Sequence, residues 1–182
     1  SPVVAGEVGT DTLSLAEVQR VMRALLSEGV PVRDLTRILE AVTAAARDSR
    51  VHEQLVEAAR SALGPTITAG AAVANRLSAL TLDPLLEQSL LEACRTGETG
   101  TWLALDPMRM EALVAGVGEA VRTAENAGHR PAVVCSAQLR PAIRRLLVGG
   151  RPDLPVLSFT ELSRNVSIEP VGVIHLAERT AA

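Results

Sequence analysis

The stretch AVVCSAQLRPAIRRLL, Ala132 to Leu147, reads as a strand that delivers Cys135 and Ser136 to the mouth of a helix. A helix N-terminus offers unpaired N–H groups and the positive end of the macrodipole, which lower a thiol pKa and hold an anion. Cysteine phosphatases use that geometry. Here Ser136, Ala137, Gln138 and Leu139 separate Cys135 from Arg140, one residue too few for backbone amides to encircle a phosphate. The loop has no glycine, and the preceding strand supplies no histidine to activate the thiol. Cys135 is therefore read as a small hydrophobe ending a buried strand, and Ser136 as the N-cap of the next helix.

The remaining reactive types form no catalytic set. His52, His129 and His175 fall on a helix, a loop and a terminal strand, without metal-ligand spacing or a nearby cysteine pair. Ser158 and His175 suggest a triad, but Ser158 lacks a glycine-flanked elbow and is placed to cap a turn with Glu161 in an S-x-x-E box. Asp83 and Asp106 resemble paired carboxylates, yet each precedes a proline, Pro84 or Pro107, as a helix N-cap does. Every basic residue is arginine, so the lysine-dependent P-loop, Schiff-base and kinase chemistries are excluded. The reading assigns no catalytic residue, no cofactor and no metal.

Charged helix faces offer a different kind of function. Arg140, Arg144 and Arg145 follow helical spacing opposite Leu139, Ile143, Leu146 and Leu147, forming either a solvated face or a docking patch for an acidic partner. VRDLTRILE puts Arg33, Asp34 and Arg37 on the polar side of an amphipathic helix, a face suited to pairing subunits in an oligomer. The same helix with the one before it also fits a helix-turn-helix DNA-binding regulator, with Arg33 and Arg37 reaching DNA. Glu28, Asp34 and Glu40 interrupt that basic surface.

Composition narrows the choice. Net charge −3 gives no electrostatic footprint for nucleic acid, and Trp102 and Phe159, the only aromatics, cannot form a base-stacking platform. The length suits one domain or two small ones, and no apolar run approaches a membrane span. Two cysteines, Cys94 and Cys135, fit a reducing compartment. SPVVAGEVGTDT has neither an initiator Met nor a signal peptide, and suggests a piece of a longer chain.

The elements that position these residues are readable from periodicity. SLAE forms a capping box, Ser14 to Glu17, ahead of Leu15, Val18, Met22 and Leu25, and this helix should stop at Gly29. A second helix carries Leu35, Ile38, Leu39 and Val42, and a third runs from about Ser49 through Leu55, Ala59 and Leu63. Gly64-Pro65 either ends the third helix or precedes more helix through ITAGAAVA. Arg76 to Leu82 alternates like a strand, TLDP and ALDP mark two strand-to-helix starts, and Met110, Leu113, Val114, Val117 and Val121 stripe a long helix. RTGETGT, Arg95 to Thr101, reads as a polar loop between two subdomains. From Ala132 the order is strand, helix, a break at GGRPD, strand LPVL, a turn at Phe159 to Leu162 and a last strand near VSIEPVGVIHL. The expected class is α/β (α+β), a helical subdomain over 1–95 followed by a small α/β subdomain over 96–182 with a mixed or parallel sheet.

SLAEVQRVMRALLSEGVPVRDLTRILEAV, LVEAARSALGPTIT, LTLDPLLEQSLLEA, TWLALDP, PAVVCSAQLRPAIRRLL and PDLPVLSFTELSRNVSIEPVGVI occur in one order from about Leu13 to Ile174. Together they closely resemble the C-terminal cytoplasmic region of the FlhA/LcrD/InvA (FHIPEP) family, the export-gate proteins of flagellar and virulence type III secretion. The resemblance implies a non-enzymatic ring, usually nonameric, at the cytoplasmic face of the bacterial inner membrane. It further implies docking of export chaperone–substrate complexes and the ATPase stalk, membrane contact only through an N-terminal region absent here, and no nucleic-acid partner. The two halves would be the third, ring-forming subdomain and the fourth. Flagellar and virulence systems both stay open, with EPVGVI closer to flagellar members.

Overall fold

The computed structural model describes residues 13–177; the N-terminal stretch read above for a leader lies outside the described residues. Four helices come first: α1 (Leu15–Ser27), α2 (Leu35–Ala45), α3 (His52–Ala62) and α4 (Gly64–Ala71). The capping box forms as its spacing predicts, with Ser14 Oγ accepting from Glu17 N at 3.2 Å and Ser14 N donating to the Glu17 carboxylate at 2.8 Å. Gly29 follows α1 at φ +71°, a left-handed conformation that glycine adopts without strain. The third helix starts at His52 rather than Ser49, whose hydroxyl instead accepts from Val51 N. Helical structure breaks only at Leu63 and resumes with Gly64-Pro65 as its first residues, where a Cβ on Gly64 would stand 2.8 Å from the Glu161 carbonyl oxygen.

The rest of the described chain is β1 (Arg76–Leu82), α5 (Pro84–Ala93), β2 (Cys94–Gly97), β3 (Gly100–Leu103), α6 (Pro107–Asn126), β4 (Pro131–Cys135), α7 (Arg140–Leu147), β5 (Val156–Ser158), a 3-10 turn (Phe159–Glu161) and β6 (Ser167–Ile174). Four strands form a wholly parallel sheet in the order β5-β4-β1-β6. Both proline-bearing starts work as expected: Asp83 accepts from the amides of Leu85 and Leu86, and Asp106 from that of Arg109. The segment expected as a loop, 95–101, is instead the antiparallel hairpin β2–β3, because Gly97 and Gly100 pair across a two-residue turn and Gly100 takes φ +112°.

Both faces of the sheet are covered, which is why β4 reads as a continuous apolar run. Leu77, Ala79, Ala132, Val134 and Leu157 face a core shared with α1 to α4. Leu80, Leu82, Val133, Cys135 and Val156 face a second core shared with α5, α6 and α7. The chain is thus α/β, a helical layer packed on one face of a parallel sheet. The four leading helices end at Ala71, ahead of β1, a central strand pairing with both β4 and β6.

Candidate interaction site

The Cys135 junction is a structural joint. Cys135 is fully buried, and burial pushes its thiol up to about 12, the opposite of a nucleophile's shift. Ser136 does not cap with its side chain: its carbonyl accepts from Leu139 N and Arg140 N at 3.0 and 3.1 Å, while its buried hydroxyl has no partner. The helix consequently begins at Arg140, after one turn held by that carbonyl, with Pro141 in its first turn. A disulfide-exchange reagent at pH 8 should label Cys94, which is partly exposed, and leave Cys135 untouched until the protein unfolds. Rapid labelling of two thiols in the native state would contradict this.

Ser158 is likewise structural. Its amide donates to Glu161 at 2.7 Å and its hydroxyl contacts the Thr160 hydroxyl at 2.8 Å, whereas His175 lies 3.8 Å from Asp83. Among the described residues no group of three or more histidine, cysteine or acidic side chains is placed to hold a metal.

The arginine helix departs from expectation in an informative way. Arg140, expected on a solvated or docking face, is 2% exposed. Its Nε donates to Glu57 at 2.8 Å, its Nη1 to Glu28 at 2.9 Å and to the Val156 carbonyl at 3.1 Å. Arg60 of α3 enters the same seam, donating to Glu161 at 2.8 Å, to Glu28 at 3.1 Å and to that same Val156 carbonyl at 3.3 Å. The two guanidinium groups therefore cap the outer edge of β5, leaving its carbonyl closed to another strand. Arg144 is also drawn inward, donating to the carbonyls of Pro152 and Leu154. Arg145 stays half exposed and joins Glu53 at 2.8 Å, while Glu53 accepts from Thr101 N and thereby clamps the hairpin onto α3. The helix face opposite the apolar core meets another layer rather than water.

Charge in this seam is mutually dependent. Burial alone would raise Glu28, but the hydrogen bond and charge of Arg140, aided by Arg60 and Arg144, hold it below the usual carboxylate value. Burial pushes Glu57 up against the opposing pull of Arg140. Arg140 stays charged, because its bonds to Glu57 and Glu28 outweigh its own burial. Sequence reasoning assigns no role to Glu57 and Arg60, and reads Glu28 and Glu161 only as a surface charge and a capping residue, although Arg60 interrupts the apolar stripe Val56, Ala59 and Leu63 and so signals a buried partner.

The other candidate face is open. Arg33, Asp34 and Arg37 are all exposed; Asp34 caps α2 by accepting from Arg37 N at 3.2 Å and lies 3.4 Å from the Arg37 guanidinium. Leu26 of α1 and Leu35 of α2 are 55% and 47% exposed. For a helix-turn-helix this surface is poor, since its Arg37 charge is locally compensated by Asp34.

A sequence profile described as the FHIPEP family matches residues 1–167. The chain belongs to the FHIPEP family. Among relatives, it is 31% identical over 176 residues to the flagellar biosynthesis protein FlhA of Bacillus subtilis, covering 96% of this chain and 26% of that protein. It thus spans about a quarter of the length of that relative. A solved complex of CdsV and CdsO from Chlamydia pneumoniae contains a chain 25% identical to it, with a TM-score of 0.77 over 96% of this FHIPEP chain and 51% of the other. The nonameric SctV-C of EPEC, 23% identical, shares the fold with a TM-score of 0.81 over 95% of this chain and 52% of its own. No helix among the described residues is long and apolar enough to cross a membrane.

Proposed function

We propose that this chain is part of the cytosolic ring of a type III protein export gate, at the cytoplasmic face of the bacterial inner membrane. The observation that carries the reading is the family match along residues 1–167, in a fold shared with a nonameric domain. In this reading the ring is a homo-oligomer, most simply of nine copies as in that domain. It receives export substrates with their chaperones and the ATPase stalk; the solved CdsV–CdsO complex supports a protein partner. Neither catalysis nor nucleic acid has a part.

The α1–α2 face supplies the copy-to-copy contact in this account. Leu26 and Leu35 give apolar area, and Arg33, Asp34 and Arg37 give direction. Each exposed charge pair contributes only about 0.2–1 kcal/mol, but a ring repeats the loss at every interface. The double variant R33E/R37E should shift full-length protein or its cytosolic region from rings to monomers in electron micrographs. Unchanged rings would remove this face from the interface.

Partner capture tests the function itself. The full-length protein, solubilised from a secreting cell, should retain export chaperones or the ATPase stalk, and should not shift duplex DNA at about 50 mM salt, where phosphate contacts are strongest. Salt-sensitive DNA binding without such partners would overturn the proposal. The variant C135S should secrete normally, because the thiol serves only packing.

A further inference from the structure

A cleft of about 370 Å³ opens where α1, α3, the hairpin tip and α7 meet. Val56, Pro141 and the 44% exposed Val148 give it apolar wall. Its three arginines are already engaged: Arg140 by Glu28 and Glu57, Arg144 by two carbonyls, Arg145 by Glu53 and the Thr99 carbonyl. Its glutamates are not equally served. Glu57, with 24% of its side chain exposed, receives only Arg140, and Glu98 at the hairpin tip has no ion pair among the described residues. Four glutamates (28, 53, 57 and 98) face three arginines (140, 144 and 145), so −4 and +3 leave −1. His52 on the rim adds little to this balance, since burial and the Arg20 charge push its pKa down.

We propose that this cleft is a docking site for a basic segment of a partner polypeptide, with an arginine or lysine side chain entering between Glu57 and Glu98. A guanidinium or ammonium there would use the free lone pairs of Glu57 in a half-desolvated position, where charge-assisted hydrogen bonds are strong. Val148 and Pro141 would pack along its aliphatic stem. An acidic segment, which the arginine spacing alone suggested, meets the excess carboxylates instead, because the arginines are saturated from within. The lining of the site comes from one copy of the chain.

Tetra-arginine amide, titrated into the protein calorimetrically at about 50 mM salt, should bind saturably, and tetra-glutamate amide should not. Loss of one charge-assisted bond is worth about tenfold or more in affinity, so Glu57→Gln and Glu98→Gln should each weaken binding by about that factor. Glu98→Gln removes no bond of the fold and covers the case in which Glu57→Gln disturbs the Arg140 network. Glu40→Gln, on the exposed side of α2, changes net charge equally and should leave binding within about twofold. Absent binding, preference for tetra-glutamate, or equal weakening by Glu98→Gln and Glu40→Gln would each overturn the proposal.

Discussion

Replacing Arg140 with Met should destabilise the protein by about 3–5 kcal/mol, the usual consequence of removing one partner from a buried ion pair. The size follows from what remains: Glu28 and Glu57 lose their shared donor, and the Val156 carbonyl keeps only Arg60. Arg145→Ala, on the same helix but 47% exposed, should cost only about 0.2–1 kcal/mol. Thermal unfolding followed by circular dichroism separates the two. The pH response gives a second signature. In the wild type Glu28 is held below its ordinary 4.5, so its contribution is present above that value and is lost as pH falls through the lower folded value. Glu57 is raised, so its charged form opposes folding at neutral pH and that penalty fades as pH falls through its folded value. In R140M both carboxylates are buried without their main cation and their folded values rise. The deficit of the variant should therefore shrink from pH 7 towards pH 5. An equal deficit at both values would mean that lost packing, not stranded charge, explains the effect.

Gly116→Ala is the second large effect, and it acts through a single close approach. A Cβ at Gly116 would lie within van der Waals overlap of the His175 carbonyl oxygen, a backbone atom that cannot rotate away. The chain after β6 is tied to α6 there by Ala177 N donating to the Ala112 carbonyl at 3.0 Å. The methyl group should push residues 175–177 off the helix and cost about 1–3 kcal/mol, the range for overpacking a filled interior. Gly118→Ala, two residues along the same helix with nothing within 4 Å of its Cβ, should instead stabilise by about 0.5–1 kcal/mol through helix propensity. Hydrogen exchange at the Ala177 amide checks the mechanism: it should lose protection in the first variant and keep it in the second.

The two glycines also mark how far sequence reasoning reaches. Local rules located α1, α2, β1, α6, β4 and the two Asp-Pro starts, since capping boxes, apolar periods and proline positions act within one or two turns. The hairpin 94–103 escaped, because glycines at 97 and 100 signal a turn equally well in a loop or between short strands. Arg140 was misjudged for a different reason. Helical spacing tells which side chains share a face, but it does not tell whether a second layer covers that face. The partners that bury Arg140 lie 83 and 112 residues away in Glu57 and Glu28. The same limit applies to sheet membership: β1 reads correctly as a strand, yet its place between β4 and β6 depends on pairing with residues far along the chain. Arg33, Asp34 and Arg37 are exposed among the described residues, as the polar positions of that amphipathic segment suggested.

Cryo-electron microscopy of the intact cytosolic region that contains this chain tests the central claim most directly. The account predicts a closed homo-oligomeric ring, with Leu26, Leu35 and the Arg33–Arg37 segment at each contact between copies and the Arg60/Arg140 seam intact within every copy. A particle that stays monomeric at the concentrations where related domains are rings, or a ring joined through other surfaces, would contradict it.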